Sequence, residues 1–187
     1  SGADLSRANL EGADLRNAEV RNANLQQANL RCADMRGTDF SGSNLRQVVA
    51  SRALFIQANL RETDLGGADL RDCHLNDASL VKARLHDADL TSARPDGFTV
   101  VNLANFEGAD LSNAKLRNVS AQDANFRNTN LSKVDFSHAV LGGAILRGAN
   151  VAGANFSDVE LASVTMEFAN FSKALNAKVP SYKKNLR

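Results

Sequence analysis

Residues 3–17 read ADLSR-ANLEG-ADLRN, three copies of one five-residue unit, and that unit recurs through most of the 187-residue chain. Every fifth residue from Leu5 to Leu90, and again from Phe106 to Phe171, is apolar, and the residue two places before it is nearly always alanine. The two blocks contain 18 and 14 units, and the central apolar residue is leucine in 19 of these 32 units and phenylalanine in 7. So regular a pattern decides the fold.

A period of five fits neither the α-helix, at 3.6 residues per turn, nor an uninterrupted strand, at two. The chain is therefore expected to form short extended pieces, each ended by a corner. Within a unit the alanine and the central residue point inward, and the Asp or Asn between them points outward, as strand alternation requires. The fifth position is often Gly, Asn or Asp, which tolerate tight turns.

With these units the chain resembles the pentapeptide-repeat family, whose signature is A(D/N)LXX, over about nine tenths of its length. The resemblance implies an all-β fold, a right-handed quadrilateral β-helix or solenoid with four units per coil. Thirty-two units then make eight coils, a rod roughly 40 Å long at ~4.8 Å per coil. No unit buries its apolar face alone, so stacking creates the core. We assign residues 3–173 to the β-helix and residues 174–187 to a C-terminal cap and tail.

The register breaks once, because 16 residues separate Leu90 from Phe106, which is three units and one extra residue. The extra residue falls near Arg94, Asp96 and Phe98, around a Pro-Asp-Gly turn sequence, and Pro95 cannot donate to a sheet ladder. A loop on a rigid scaffold is a candidate partner-binding element, and these three residues are its candidates. A tolerated insertion is the alternative.

The two ends differ. After Phe171 the repeats stop, and we expect a short cap over the last coil, with a helical turn between Ala174 and Pro180 and a basic end. At the other end Ala3 already lies in a full repeat, so the first coil is uncovered. Either upstream sequence in a larger protein covers it, or two rods form a homodimer through this end.

Composition predicts one elongated domain without affinity for nucleic acid or membrane. The 22 basic and 21 acidic side chains give a formal charge of +1, and no basic patch suggests nucleic-acid binding. No apolar run is long enough to cross a membrane.

The two cysteines are expected to be free thiols. Cys32 and Cys73 lie two coils plus one residue apart, which places their Cα atoms roughly 10 Å apart and out of disulfide range. Reduced thiols slightly favour a reducing compartment such as the cytoplasm, although the thylakoid and the periplasm stay open.

The sequence contains no pattern typical of an enzyme, a metal site or a cofactor site. We find no phosphate-binding glycine loop, nucleophile elbow or metalloprotease helix. On a four-sided coil His74 and His86 fall on opposite sides. Alanine and leucine fill the coil interior and leave no space for a small substrate. We therefore predict no catalytic residues, no metal ligands and no cofactor.

Function is expected on the outer surface. Val49, Leu54 and Ile56 occupy outward positions where polar residues are usual, which makes them candidate partner-binding residues. Ordinary variation of the surface is the alternative. Val140 and Ile145 form a weaker second island.

Two classes of function remain. The first is a non-catalytic module or scaffold for protein–protein interaction, within a larger protein. The second is implied by the family resemblance alone: a DNA-mimicking regulator of bacterial DNA gyrase of the quinolone-resistance type. Such mimicry needs one continuous acidic face, and the balanced charge of this chain favours the first class.

Overall fold

The backbone of this chain winds into stacked coils joined by parallel β-bridges. A computed structural model describes residues 1–92 and 99–184. The bridges join residues 20 apart, such as Asp4 to Asn24 and Asn9 to Asn29, so four units complete one coil. Four sides result, and the stacked β-helix predicted from the sequence is confirmed.

Each side is named by the row of outward residues that form its bridges. Side 1 comprises Asp4, Asn24, Asn44, Asp64, Arg84, Asp110, Asn130 and Asn150; side 2 comprises Asn9, Asn29, Val49, Asp69, Asp89, Lys115, Asp135, Asn155 and Leu175; side 3 comprises Asp14, Asp34, Leu54, His74, Val100, Ser120 and Val140; side 4 comprises Glu19, Asp39, Asn59, Ser79, Asn105, Asn125, Ile145 and Thr165. The rows on sides 1 and 4 run through eight coils, in line with the count predicted from the sequence.

The corners adopt one repeated backbone conformation. The second residue after each central residue has a positive φ at most corners, as in Arg7 at 56° and Gly12 at 67°. The next N–H then closes the turn, and Ala8 N donates to Leu5 O over 3.0 Å. A positive φ at this position is a feature of type II turns. Glycine adopts it without strain, whereas other residues adopt it at a cost.

The outward Asp or Asn of the unit has two structural tasks. Its Oδ1 accepts a hydrogen bond from the N–H two residues later, as Asp4 does from Ser6 at 3.0 Å, which stabilises the corner. An Asn also donates from Nδ2 to the residue below it, and Asn24 reaches Asp4 at 3.2 Å while Asn44 reaches Asn24 at 3.2 Å. Side-chain ladders therefore run parallel to the backbone ladders.

The inward residues fill the core. Leu70 is 1% exposed, and phenylalanines stack between coils, with ring centroids of Phe106 and Phe126 4.9 Å apart. At several inward positions where a polar residue replaces the alanine, the side chain donates to a carbonyl of the coil below. Thr38 Oγ1 reaches Leu15 O at 2.6 Å. Among the described residues, every buried side-chain N or O atom has a hydrogen-bond partner.

Both cysteines are free, as the sequence predicts. Cys32 is exposed at a corner, whereas Cys73 is buried at an inward alanine position and its Sγ donates to Ala50 O at 2.8 Å. Burial raises the pKa of the Cys73 thiol, because the thiolate would lose its hydration. Cys73 is therefore an inert core residue.

The register break contains six extra residues rather than one. His74 is bridged to Val100 and Ser79 to Asn105, offsets of 26 in place of 20. The prediction of one extra residue was wrong, because the bridges of Val100 and Asn105 make this coil 26 residues long in place of 21. The candidates Arg94, Asp96 and Phe98 lie outside the described residues.

The two ends of the rod differ in structure. Two 3₁₀ helices, Phe171–Lys173 and Ser181–Lys183, flank the predicted start of the cap. The helical turn expected between Ala174 and Pro180 is absent from that described stretch, and the second helix begins directly after Pro180, the residue at its N-cap. Lys183 Nζ donates to Val164 O at 2.5 Å. The ammonium group therefore bonds a carbonyl that would otherwise accept a backbone N–H of a further coil.

The first coil is incompletely buried. Its central residues, Leu5, Leu10, Leu15 and Val20, are only partly buried, whereas those of the second coil are fully buried. This exposure agrees with the prediction of an uncovered coil. Within the described residues, no helix has the length and apolarity needed to cross a membrane.

Leu70→Asp tests the inward assignment. The change buries a carboxylate among stacked leucines, so we expect the free energy of unfolding to fall by more than about 4 kcal/mol. Urea unfolding followed by circular dichroism measures it. The adjacent outward change Asp69→Ala should cost less than about 1 kcal/mol. An unchanged melting curve for Leu70→Asp would refute the register.

Lys183→Met tests the cap. The variant keeps the apolar stem but loses the bond to Val164 O, so we expect about 1 to 2 kcal/mol of destabilisation. Lys184→Met, which removes a neighbouring exposed lysine, is the matched control and should unfold like the parent protein. Equal urea midpoints for both variants would show that Lys183 contributes nothing to the cap.

Candidate partner-binding surface

The three apolar residues singled out in the sequence lie where the register places them. Leu54 is bridged to Asp34 below and His74 above on side 3, and Ile56 follows it on the same side. Val49 lies on side 2 of the same coil and is 37% exposed. Leu54 and Ile56 are half-buried. The geometry of this island is thus as predicted, and its role in binding stays a prediction.

An outward leucine can make neither of the two hydrogen bonds that the usual Asp or Asn makes, at the corner and to the coil below. Leu54 has no side-chain acceptor for the corner N–H and no donor for the coil below. Residues that do not stabilise the local structure in the usual way are often functional residues. Leu54 is therefore a better functional candidate than its exposure alone suggests.

Side 3 extends this island into a longer apolar row. Leu54, Val100 and Val140 all lie on side 3, two coils apart, with His74 and Ser120 between them. The sequence interpretation placed Val140 in a separate island with Ile145, which lies on side 4. The 26-residue offset at the register break, which the sequence interpretation did not predict, places Val100 and Val140 in this row.

An exposed leucine lies at the corner beside this row. Leu103 is 58% exposed and follows Val100 by three residues. Its corner has the positive φ found elsewhere, here 60°, which is unfavourable for leucine. The sequence interpretation did not single it out.

Ion pairs cover the beginning of side 3. Arg16 and Arg36 bind Asp14 and Asp34 at 2.7 and 2.6 Å. Hydrogen bonds from Arg16 lower the pKa of Asp14 to about 2, and Arg36 lowers the pKa of Asp34 in the same way. Both carboxylates are therefore fully charged at neutral pH.

The described residues show no group of three or more His, Cys, Asp or Glu side chains placed to hold a metal ion. His86 Nδ1 lies 3.0 Å from Asp87, and His138 Nδ1 lies 3.5 Å from Asp158. Each histidine thus has a single carboxylate neighbour at a corner.

Acidic residues do not form an unbroken row on any side of the described structure. Arg84 interrupts side 1, Lys115 interrupts side 2 and Leu54 interrupts side 3, while side 4 continues from Asp39 to Asn59. Neutral and basic side chains lie among the acidic residues of the rows instead.

A cleft lies between the last coil and the cap. It has a volume of about 880 Å³. Its lining residues are Met166, Phe168, Ala169, Asn170, Phe171, Ser172, Ala177, Lys178, Val179, Lys183 and Lys184. The cleft is thus apolar with a basic rim, and it lies at the end of the rod, away from side 3.

Comparison with known proteins places the chain in a family. Eight copies of the model described as Pentapeptide repeats match residues 8–47, 58–94, 104–143 and 141–175. No functionally curated protein sequence matches the chain.

Two solved structures resemble the whole rod. The crystal structure of HetL, a pentapeptide-repeat protein involved in heterocyst differentiation regulation in the cyanobacterium Nostoc sp. strain PCC 7120, is 30% identical, with a TM-score of 0.62, over 92% of this chain and 84% of HetL. Full-length QnrB1, a plasmid-mediated fluoroquinolone resistance protein, is 17% identical, with a TM-score of 0.60, over 97% of this chain and 93% of its own, and is similar in fold alone. The family model and the likeness to HetL together show that this chain belongs to the pentapeptide-repeat family.

Proposed function

We propose that this protein is a non-catalytic interaction module, a rigid rod that binds a protein partner through side 3. The proposal takes the coil to be right-handed, as the family resemblance implies. One observation carries it: on side 3, apolar residues replace the Asp or Asn that the fold uses at outward positions.

The rod suits a rigid binding surface. Each coil is bonded to the next through backbone and side chains, and the outward positions recur at about 4.8 Å. A partner therefore meets side chains fixed in position before contact, which lowers the entropy lost on binding. Half-buried Leu54 and Ile56 offer apolar contact area on such a surface.

The core supports the assignment to a non-catalytic class. Central Leu and Phe side chains fill the coil cross-section and are almost fully buried. Catalytic sites need a concave space that excludes water around converging polar groups. The outer sides of the rod are flat rows, and their charged groups pair with each other.

The gyrase-regulating alternative is less well supported. Duplex mimicry requires a continuous acidic face, and Arg84, Lys115 and Leu54 interrupt the rows that would supply it. The likeness to QnrB1, at 17% identity, concerns the fold.

A supercoiling assay with purified bacterial gyrase tests that alternative. Because the charge is balanced, we expect no inhibition at stoichiometric protein and no protection against a quinolone. A salt titration belongs in the assay, since charge-driven mimicry weakens as ionic strength rises. Inhibition at stoichiometric concentration would favour the mimic over the interaction module.

The side-3 proposal is tested by Leu54→Asn combined with Ile56→Arg. Both side chains point outward, so we expect partner capture from cells of the source organism to be lost while the melting temperature is kept. Each lost anchor is worth about 1 to 2 kcal/mol, enough to weaken a micromolar complex severely.

Ile145→Asn, which removes an outward apolar side chain from side 4, is the matched control and should retain the partner. Equal capture by the double variant and the parent protein would make Leu54 and Ile56 ordinary surface. Lower stability of the double variant would show that these side chains support the core.

A further inference from the structure

Side 3 presents two columns of outward side chains. One column holds the bridge-forming residues and the other holds the residues two places later. In strand geometry the columns lie roughly 7 Å apart, on either side of the buried central residues. Level by level the pairs are Asp14 with Arg16, Asp34 with Arg36, Leu54 with Ile56, His74 with Asn76, Val100 with Asn102, Ser120 with Gln122, and Val140 with Gly142.

These columns match each other. A twofold axis parallel to the rod would place side 3 against the same side of a second copy, level with level, and would exchange the columns. Asp34 would then face Arg36 of the second copy, and Leu54 would face its Ile56. Charges meet opposite charges and Leu54 meets an apolar group, whereas Val100 meets the amide of Asn102.

The outward columns of the other sides, within the described residues, are not complementary about such a twofold axis. If two copies met through side 1 in the same arrangement, Arg84 would face His86. If they met through side 2, Lys115 would face Arg117, and two cations would meet. On side 4 Ile145 would face Arg147 and would desolvate a cation against an apolar group.

The opposite orientation of two side-3 surfaces is less favourable. Aligning Leu54 with Val140 in an antiparallel pair brings Asp34 to the level of Glu160, which lies 20 residues beyond Val140. Two carboxylates would then face each other, and like charges across an interface are costly.

We propose that the partner of side 3 is a second copy of this chain, bound in parallel and in register. The inference rests on the proposed function, because it names the partner of the same surface. Asp14, Arg16, Asp34 and Arg36 of the two copies form alternating squares of charge at one end. Leu54 and Ile56 form the apolar centre, and Val140 packs against the bare backbone of Gly142.

The size of the contact sets its strength. Seven levels span about 29 Å, and a contact one side wide buries on the order of 800 Å² in total, at the low end of specific interfaces. We therefore expect a reversible dimer with a dissociation constant of about 10 to 100 μM.

Sedimentation velocity of the purified chain from about 5 μM to 1 mM measures the association. Arg36→Glu would place a carboxylate opposite Asp34 of the second copy, so we expect the dissociation constant to rise at least tenfold. The matched control is Arg71→Glu, because Arg71 binds Asp69 at 2.7 Å on side 2, much as Arg36 binds Asp34 at 2.6 Å. This control should dimerise like the parent protein.

The exchange variant Asp34→Arg with Arg36→Asp keeps the composition and reverses the pair. Opposite charges would again meet across the twofold axis, so dimerisation should recover relative to Arg36→Glu. Circular dichroism of each variant confirms that the rod is folded, and Ile56→Arg, which places a cation against Leu54, provides a second disrupting change.

Disulfide trapping tests the orientation in a Cys32→Ser background. A mixture of Leu54→Cys and Ile56→Cys proteins should form disulfide-linked dimers faster than either protein alone, because residues 54 and 56 of the two copies face each other only in the parallel arrangement.

Three results would overturn the inference: a monomer up to 1 mM, a dimer weakened equally by Arg36→Glu and Arg71→Glu, or trapping that is no faster in the mixture. A monomer that still captures another protein through Leu54 and Ile56 would reject the second copy and leave the proposed function standing. A dimer that captures no other protein would support both the inference and the proposed function, because the second copy is then the protein partner of side 3, whereas a monomer that captures no other protein would reject both.

Discussion

The backbone hydrogen bonds between neighbouring coils govern every other feature of this structure. Leu25 N donates to Asn44 O at 2.7 Å, and Asn24 N donates to Ala3 O at 2.9 Å, so each coil is bonded to the coils above and below. Short extended pieces of this kind have no stability alone. Stacking fixes which side chains meet, from the phenylalanines of the core to the Asn ladders outside.

Much of the fold can be predicted from the sequence because the five-residue period is strict. The inward positions, the free cysteines and the exposed first coil follow from it. The length of the register break could not be predicted, because the residues between Leu90 and Thr99 do not follow the repeat and only the bridges show how many residues the coil contains. The helix after Pro180 was missed because a single 3₁₀ turn has little sequence signal. The side-chain ladders depend on contacts between coils, which a linear pattern does not show.

The candidate surface was predicted in part for the same reason. Leu54 and Ile56 are apolar at outward positions, and the period alone reveals them. Their alignment with Val100 and Val140 depends on the 26-residue offset, which only the bridges establish. Leu103 was overlooked because an apolar corner residue with positive φ runs against the preferences of that position. The function of a repeat rod thus lies in departures from its own repeat.

The 26-residue coil also bears on how such rods change. The coil from His74 to Val100 spans 26 residues in place of the usual 20, yet Val100 stays bridged to His74 below and to Ser120 above. The sides therefore keep their alignment when a coil gains residues. Corners of this rod are natural insertion points, where a peptide or a small domain can be added for display or reporting while the pattern on each side is preserved.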